Sequence, residues 1–347
     1  MKKSIGILLL FWLATTAVIV QAHHVSPNRD YNNPGPLPAN VTHITINSRY
    51  LNPDNNEVGF VVYTPPGYDA PDNTRRYPVI YMLHGIQGHE RNYFSFWPDF
   101  DSLYTTPSVL SLIEGTVPAT RPVPQAIVVF VNGRAHSFYN DFTDEFHGPG
   151  SPDPILTESI LLKEVIPTVD TMYRTIGHRS GRAIEGFSMG GHGALKLAFK
   201  FPQLFCSAVA YGGSPYDEIG SGSDTPYSGP IPPENNVMSL AADNRDNILA
   251  YQLQIALVVG TQDTGQQKRN EVLHTLLDEF GIPHTYVPLL PETRHNWFDY
   301  YQHYGEEGLA QHGQCFTDMA ASFTPRETAV IHAILRQKSQ TRRAHTP

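Results

Sequence analysis

Clustered basic residues are missing from this sequence. Lys and Arg number 24 against 33 Asp and Glu, for a formal net charge of −9 over 347 residues. The only basic groupings are the first residues and a terminal "RQKSQTRR". A nucleic-acid partner is not expected, because phosphate binding draws on grouped Lys and Arg. Cysteine is scarce too, with only Cys206 and Cys315. A bridge between them is open in an oxidising compartment. A buried free thiol is the alternative for Cys206, which sits in the apolar run "LFCSAVAYGG". No internal repeat and no Ser/Thr/Pro-rich linker divides the chain. Long hydrophobic runs are absent beyond Ile5–Val20, so no other segment is expected to span a membrane.

That one run follows Lys2 and Lys3 and ends in "VQA". It reads as a signal peptide over 1–22, cleaved before His23, rather than as an anchor. No cysteine follows it to carry a lipid. A secreted or periplasmic destination is the expectation. Residues 23–40, rich in Pro and Asn, read as an extended lead-in, 41–341 as the folded domain, and 342–347 as a tail.

Within that domain short apolar runs recur. "THITINSRYL" and "EVGFVVYTPP" flank a turn-forming "NPDNN". "PVIYMLHG", "QAIVVFVNG", "GRAIEGF", "CSAVAYGG" and "QIALVVG" are nearly continuous, as befits strands buried on both faces. Helical patterns lie between several of them: "ILTESILLKEVIPTVDTMY" with a kink expected at Pro167, "GALKLAFKF" stopping at Pro202, and "QKRNEVLHTLLDEFG" ending at Gly281. This alternation predicts an α/β fold, a mostly parallel central sheet flanked by helices. Functional groups in such a sheet collect at the carboxyl ends of the strands.

Three stretches fall at such ends. "GRAIEGFSMGG" is strand, Gly-Phe-Ser-Met-Gly, then helix, the setting in which G-x-S-x-G forms a nucleophile elbow. The turn raises Ser188 above the sheet edge and aims the amide of Met189 at the place where negative charge develops. A serine needs a base, and the base an orienting acid, here in the chain order Ser, acid, His. Asp263 follows the strand-like "IALVVG", and His295 follows "HTYVPLL". His284 precedes its strand, and His303 and His312 have no strand before them. Glu292 and Asp299 are too close to His295 in sequence to reach round it, and Asp217 and Asp224 lie in a long Gly/Pro-rich stretch. A second oxyanion donor is expected from "LHGIQG": the amide of Ile86, or else of Gln87. His84 is expected to be structural. The loop aromatics Trp97, Phe138, Tyr139 and Trp297 are candidates for binding substrate.

Taken together, "YTPPGY", "RYPVIYMLHGIQG", "SMGGHGALKLAFKFPQLF", "VVGTQD" and "RHNW" resemble the putative-esterase family, from about Ile44 to Tyr300. That family includes feruloyl and acetylxylan esterases, esterase D, enterochelin-type esterases and mycolyltransferases. The resemblance implies one α/β-hydrolase domain with Ser188, Asp263 and His295 as a triad, and with Ile86 and Met189 as oxyanion donors. It implies no metal and no cofactor for the reaction. The substrate class it implies is a carboxylic ester, small or on a polysaccharide. Feruloyl or acetyl esters of carbohydrate are the leading expectation. A siderophore-type esterase, an acyltransferase and a catalytically silent carbohydrate-binding module remain alternatives. The long stretches 92–124 and 212–236 leave the substrate itself open.

Overall fold

The computed structural model describes residues 40–91, 109–142, 155–219 and 229–322, apart from 52, 54, 55 and 135, together with Leu37. The expected signal peptide, most of the lead-in, the tail and Trp97 lie outside the described residues.

Every short apolar run named within the expected domain contains a strand. The strands are β1 (Val41–Asn47), β2 (Glu57–Tyr63), β3 (Val79–Leu83), β4 (Ile127–Val131), β5 (Arg182–Phe187), β6 (Ser207–Tyr211), β7 (Gln254–Gly260) and β8 (Thr285–Leu290). They form one eight-stranded sheet in the order β1-β2-β4-β3-β5-β6-β7-β8. β1–β2 and β2–β4 pair antiparallel, and the other neighbours pair parallel. Two short two-stranded ribbons, Asp141–Phe142 with Ile155–Leu156 and Glu218–Ile219 with Gly229–Pro230, lie apart from it.

The continuous apolar runs supply two cores at once, because alternate residues point to opposite faces. From β3, Val79, Tyr81 and Leu83 join one core, and Ile80 and Met82 join the other. The first core is closed by α1 (Met189–Lys200), through Ala194, Leu195, Leu197 and Ala198, and by Leu273 and Leu277 of α2 (Thr264–Glu279). The second is closed by Tyr300, Tyr301, Leu309 and Phe316 of α3 (Trp297–Ser322) and by the short helix Val109–Glu114. Among the described residues no helix is long and apolar enough to cross a membrane.

The helix expected to kink at Pro167 is irregular just before that residue. The segment is helical over Thr157–Ile160, widens to a π-turn over Leu161–Val165, and resumes over Ile166–Met172. Pro167 stands in the first turn after the π-turn, where its missing N–H costs little.

The open question of the cysteines is also decided. Cys206, at the entry to β6, is bonded to Cys315 in α3, 109 positions further along the chain, with 6.1 Å between Cα atoms. The bridge ties the sheet to the helix that covers its second core. Closing so long a loop restricts the unfolded chain, so its loss should lower stability by about 2–4 kcal/mol. Urea unfolding with and without reductant measures this. Equal midpoints, or two free thiols in the oxidised protein after denaturation, would mean the bridge does not form.

Candidate active site

The site begins with a backbone constraint. Ser188 follows β5 with φ +56° and ψ −116°, a conformation that a non-glycine residue adopts only where its surroundings impose it. Those surroundings are backbone. A Cβ on Gly190 would stand 2.0 Å from the carbonyl oxygen of Leu83, and one on Gly186 would stand 2.5 Å from the carbonyl carbon of Gly190. The turn is therefore pressed against the end of β3. The amide of Ser188 donates to Tyr211 O at 2.9 Å, which fixes the turn to β6 as well.

Ser188 Oγ lies 2.9 Å from His295 Nε2. His295 Nδ1 lies 2.6 Å from Asp263 Oδ2. Three residues, 107 and 32 positions apart in the chain, thus make one hydrogen-bonded line at the carboxyl ends of β5, β7 and β8. Asp263 is only 4% exposed, whereas the His295 side chain is 38% exposed. The ring of Phe187 packs 4.8 Å from that of His295. The loops bearing acid and base are stitched together: Thr261 N donates to Leu290 O and Gln262 N to Thr293 O. The His295 loop is also held from the α3 side, where Asp299 Oδ2 accepts from Arg294 Nε at 2.9 Å.

Tyr300 was not singled out in the sequence. Its hydroxyl donates to Asp263 Oδ2 at 2.7 Å and accepts from Gly260 N at 2.9 Å. Burial, and then the neighbouring carboxylate, keep this phenol protonated far beyond its usual range. Asp263 therefore receives two hydrogen bonds on one oxygen, and among the described residues no Lys or Arg is bonded to it. Gly212, at φ +53°, leaves room for the pair: a Cβ there would stand 2.9 Å from Tyr300 Oη and 3.0 Å from Asp263 Oδ2.

The turns that carry the two expected oxyanion amides are neighbours: a Cβ on Gly85 would stand 3.5 Å from Phe187 O, and one on Gly190 2.7 Å from His84 O. Met189 opens α1, and Ile86 sits in a tight turn closed by Gly88 N donating to Gly85 O at 3.1 Å. Neither amide has a backbone acceptor among the described residues. The Ile86 side chain is exposed at 45%. His84 anchors this turn. Its Nδ1–H donates to Gly85 O at 2.7 Å, and its Nε2 accepts from Gly133 N at 2.9 Å. Burial drives its pKa down to about 4, so it is a neutral strut.

A second grouping borders the serine. Tyr216, in the loop after β6, has its hydroxyl hydrogen-bonded by Gln266 Nε2 at 3.0 Å, and Ser188 is among the groups near enough to act on it. Phe138 meets its ring edge-on at 5.5 Å, His192 packs at 5.6 Å, and the Arg269 guanidinium lies 5.0 Å over it. His192, fully buried at the start of α1, donates from Nδ1 to Ser214 O at 2.9 Å, and burial lowers its pKa to about 4.

The substrate aromatics need correction. Tyr139 is fully buried, its ring filling the space over Gly133 and Gly193, with its hydroxyl donating to His84 O at 3.1 Å. It is packing for the oxyanion turn, not a pocket wall. Phe138 is 6% exposed and reaches the site only through Tyr216 and His192. Trp297 is half-buried against Phe298 and Tyr301. Among the other histidines, His303 bonds Thr293 Oγ1 at 2.8 Å. His312 is sealed in the core between Ser207 Oγ at 2.8 Å and Glu185 Oε2 at 3.2 Å, with His312 and Glu185 both fully buried. This enclosed Ser-His-Glu set resembles a triad but meets no substrate.

A profile of the family described as "Putative esterase" matches residues 52–287, about two-thirds of the chain. The chain belongs to this family. An esterase of Mycobacterium tuberculosis is 32% identical over 155 residues, 45% of this chain and 29% of the relative. An endo-1,4-beta-xylanase/feruloyl esterase of Xylanibacter ruminicola is 29% identical over 146 residues, 42% of this chain and 18% of the relative. The aligned part thus spans less than a third of the length of these curated relatives. The fold is that of α/β-hydrolase esterases. A ferulic acid esterase superposes with a TM-score of 0.59 at 20% identity, covering 80% of this chain and 98% of the other. An S-formylglutathione hydrolase of Agrobacterium tumefaciens gives 0.58 at 18% identity, covering 80% and 95%.

The two buried imidazoles make the frame acid-sensitive. Each is neutral in the fold down to about pH 4, whereas in the unfolded chain it takes a proton near ~6.5. The unfolded state then binds more protons, so stability held above ~6.5 is lost as the pH falls toward about 4, and no further below it. Each histidine contributes up to about 3 kcal/mol to that loss. Unfolding free energy measured across this window should fall with a slope of about two protons from these groups, and His192→Asn should remove about one. A variant slope equal to wild type would show that His192 is not buried neutral.

Proposed function

We propose that this chain is a secreted serine esterase that hydrolyses carboxylic esters through an acyl-enzyme on Ser188. The observation that carries the reading is the line Ser188 Oγ–His295 Nε2 and His295 Nδ1–Asp263 Oδ2 beside a strained strand-turn-helix. In this mechanism His295 takes the proton of Ser188 as its oxygen attacks the ester carbonyl. The amides of Ile86 and Met189, the latter at a helix N-terminus, hold the developing oxyanion. His295 returns the proton to the leaving alcohol, and water then repeats the sequence on the acyl-enzyme. Asp263 keeps His295 in the tautomer with Nδ1 protonated and stabilises the imidazolium. Tyr300 orients the Asp263 carboxylate. The reaction needs no metal or organic cofactor.

We place the substrate among acylated carbohydrates, with a feruloyl or acetyl acyl group. The relatives named as feruloyl esterases support this class, as does the partly exposed ring of Tyr216 near Ser188. Secretion through the apolar N-terminal segment brings the enzyme to such esters.

Ser188→Ala should lower kcat by about 10⁶-fold, and Asp263→Asn by about 10⁴-fold through the wrong tautomer. A fluorophosphonate should leave one adduct, on Ser188. Labelling elsewhere, or near-wild-type turnover by Asp263→Asn with circular dichroism unchanged, would overturn the assignment. For the substrate class, kcat/KM compared across methyl ferulate, acetylated xylan, longer p-nitrophenyl esters and siderophore esters should favour the first two. A preference for siderophore esters, or for acyl transfer to an added alcohol over water, would replace the carbohydrate reading and leave the serine mechanism standing. Tyr216→Phe should cost kcat/KM roughly tenfold, the worth of one hydrogen bond to the reacting centre.

A further inference from the structure

We propose that His274, Asp278 and His284 form a binding site for a divalent transition-metal ion of the zinc class, which clamps the end of α2 to the start of β8. The site is remote from Ser188 in role, and the inference does not depend on the esterase reading. Each of the three residues offers a ligand atom, and these atoms lie within 4.8 Å of one another. His274 and Asp278 are four apart on α2, so they share one helix face. His284 comes from the short connection that follows. Gly281, at φ +63°, turns the chain, Ile282 N donates to Leu277 O at 2.8 Å, and His284 is brought back over the helix end.

The hydrogen bonds set the rings for a metal. His284 Nδ1 lies 2.9 Å from Ile282 O, a carbonyl that can only accept. Nδ1 therefore carries the proton, and in the neutral ring Nε2 presents its lone pair. Imidazoles that ligate metals are commonly fixed in this way, by the other nitrogen donating to a backbone carbonyl. The lone pair of His284 Nε2 points at His274 Nδ1, 2.8 Å away, so His274 must be the donor there. The ring of His274 is held by stacking on Tyr286 at 4.3 Å, and its Nε2 lies 3.6 Å from Asp278 Oδ2. Ligand atoms around a tetrahedral zinc with bonds of about 2.0–2.1 Å are about 3.3 Å apart. His274 turns a different nitrogen to each partner, Nδ1 to His284 and Nε2 to Asp278, so one nitrogen binds the ion while its ring and the exposed Asp278 side chain adjust to bring the three ligand atoms, already within 4.8 Å of one another, to that spacing. The ion then takes the place that the shared proton occupies, and His274 carries its proton on its other nitrogen. Two imidazoles and one carboxylate suit zinc, with water in the fourth position.

The clamp acts on the element that holds the acid. α2 starts at Asp263, and β8 runs into the loop of His295. The ion takes no part in ester cleavage. It fixes the far ends of the helix and strand whose near ends present acid and base.

The test uses the full chain without an affinity tag, stripped with EDTA and titrated with zinc chloride by calorimetry and by thermal unfolding. The expected result is one saturable site and a melting temperature raised by ~3–8 °C, as a ligand bound only by the folded state produces. His274→Gln and His284→Gln should each weaken zinc binding at least ~10–100-fold and abolish the shift, with circular dichroism unchanged. Asp278→Asn, at a side chain 63% exposed and so safe for folding, should weaken binding about tenfold. Zinc binding of equal strength in wild type and Asp278→Asn, an undiminished shift in the histidine variants, or no saturable site in wild type would overturn the proposal.

Discussion

The approach of two backbones at the centre of the sheet decides the rest. The turn after β5 lies so close to the end of β3 that no side chain fits at Gly190. That contact forces Ser188 into a left-handed conformation, costing about 1–3 kcal/mol, which the flanking strands must over-determine. They do so through buried parallel pairing on both sides, β3 to β5 and β5 to β6. The strain puts the hydroxyl above the sheet edge and starts α1 directly behind it, so the positions of the Ser188 hydroxyl and the Met189 amide have one cause. The same contact brings the His84–Gly88 turn of β3 beside the serine, with a neutral His84 bracing it to the loop after β4.

The acid poses a separate physical problem. A carboxylate 4% exposed is costly unless its lone pairs are satisfied. Asp263 meets this with His295 and Tyr300, not with a buried cation. A lysine or arginine at the same place would neutralise the carboxylate and weaken its hold on an imidazolium. A phenol donates a hydrogen bond without adding charge, so the carboxylate can still stabilise positive charge on His295. The requirement reaches into the sheet, where Gly212 must lack a side chain to make room.

The strands were legible because parallel strands buried on both faces read as uninterrupted apolar runs, and each run became a strand. The elbow, Asp263 and His295 were legible because each follows such a run, and chain order ranks the competitors. Tyr300, Tyr216 and Gln266 were not. Their partners lie 37 to 50 residues away, and nothing local in "NWFDYYQH" or "GGSPYDE" separates a tyrosine that bonds a carboxylate from one that packs. Tyr139 misled for the converse reason. An aromatic in a polar loop reads as exposed, yet the small residues Gly133 and Gly193, 60 positions apart in sequence, open a slot that its ring fills. The π-turn before Pro167 leaves no signature in apolar spacing, and the pairing of Cys206 with Cys315 depends on how α3 docks.

Rigid and adjustable parts divide along the same line. Ser188, Asp263 and His295 stand at strand ends cross-linked by backbone hydrogen bonds, which leave little freedom for substitution. The surfaces around them come from connections: the exposed Ile86, the loop carrying Phe138, and the stretch from Ser214 to Ile219. Tyr216 joins the two sets, since its ring belongs to the loop cluster while its hydroxyl is bonded by Gln266 of α2, one turn beyond Asp263. A change in the loop after β6 therefore reaches the start of α2 through a defined contact. Selectivity can alter there without moving the acid, because α2 is held independently by its packing on the first core.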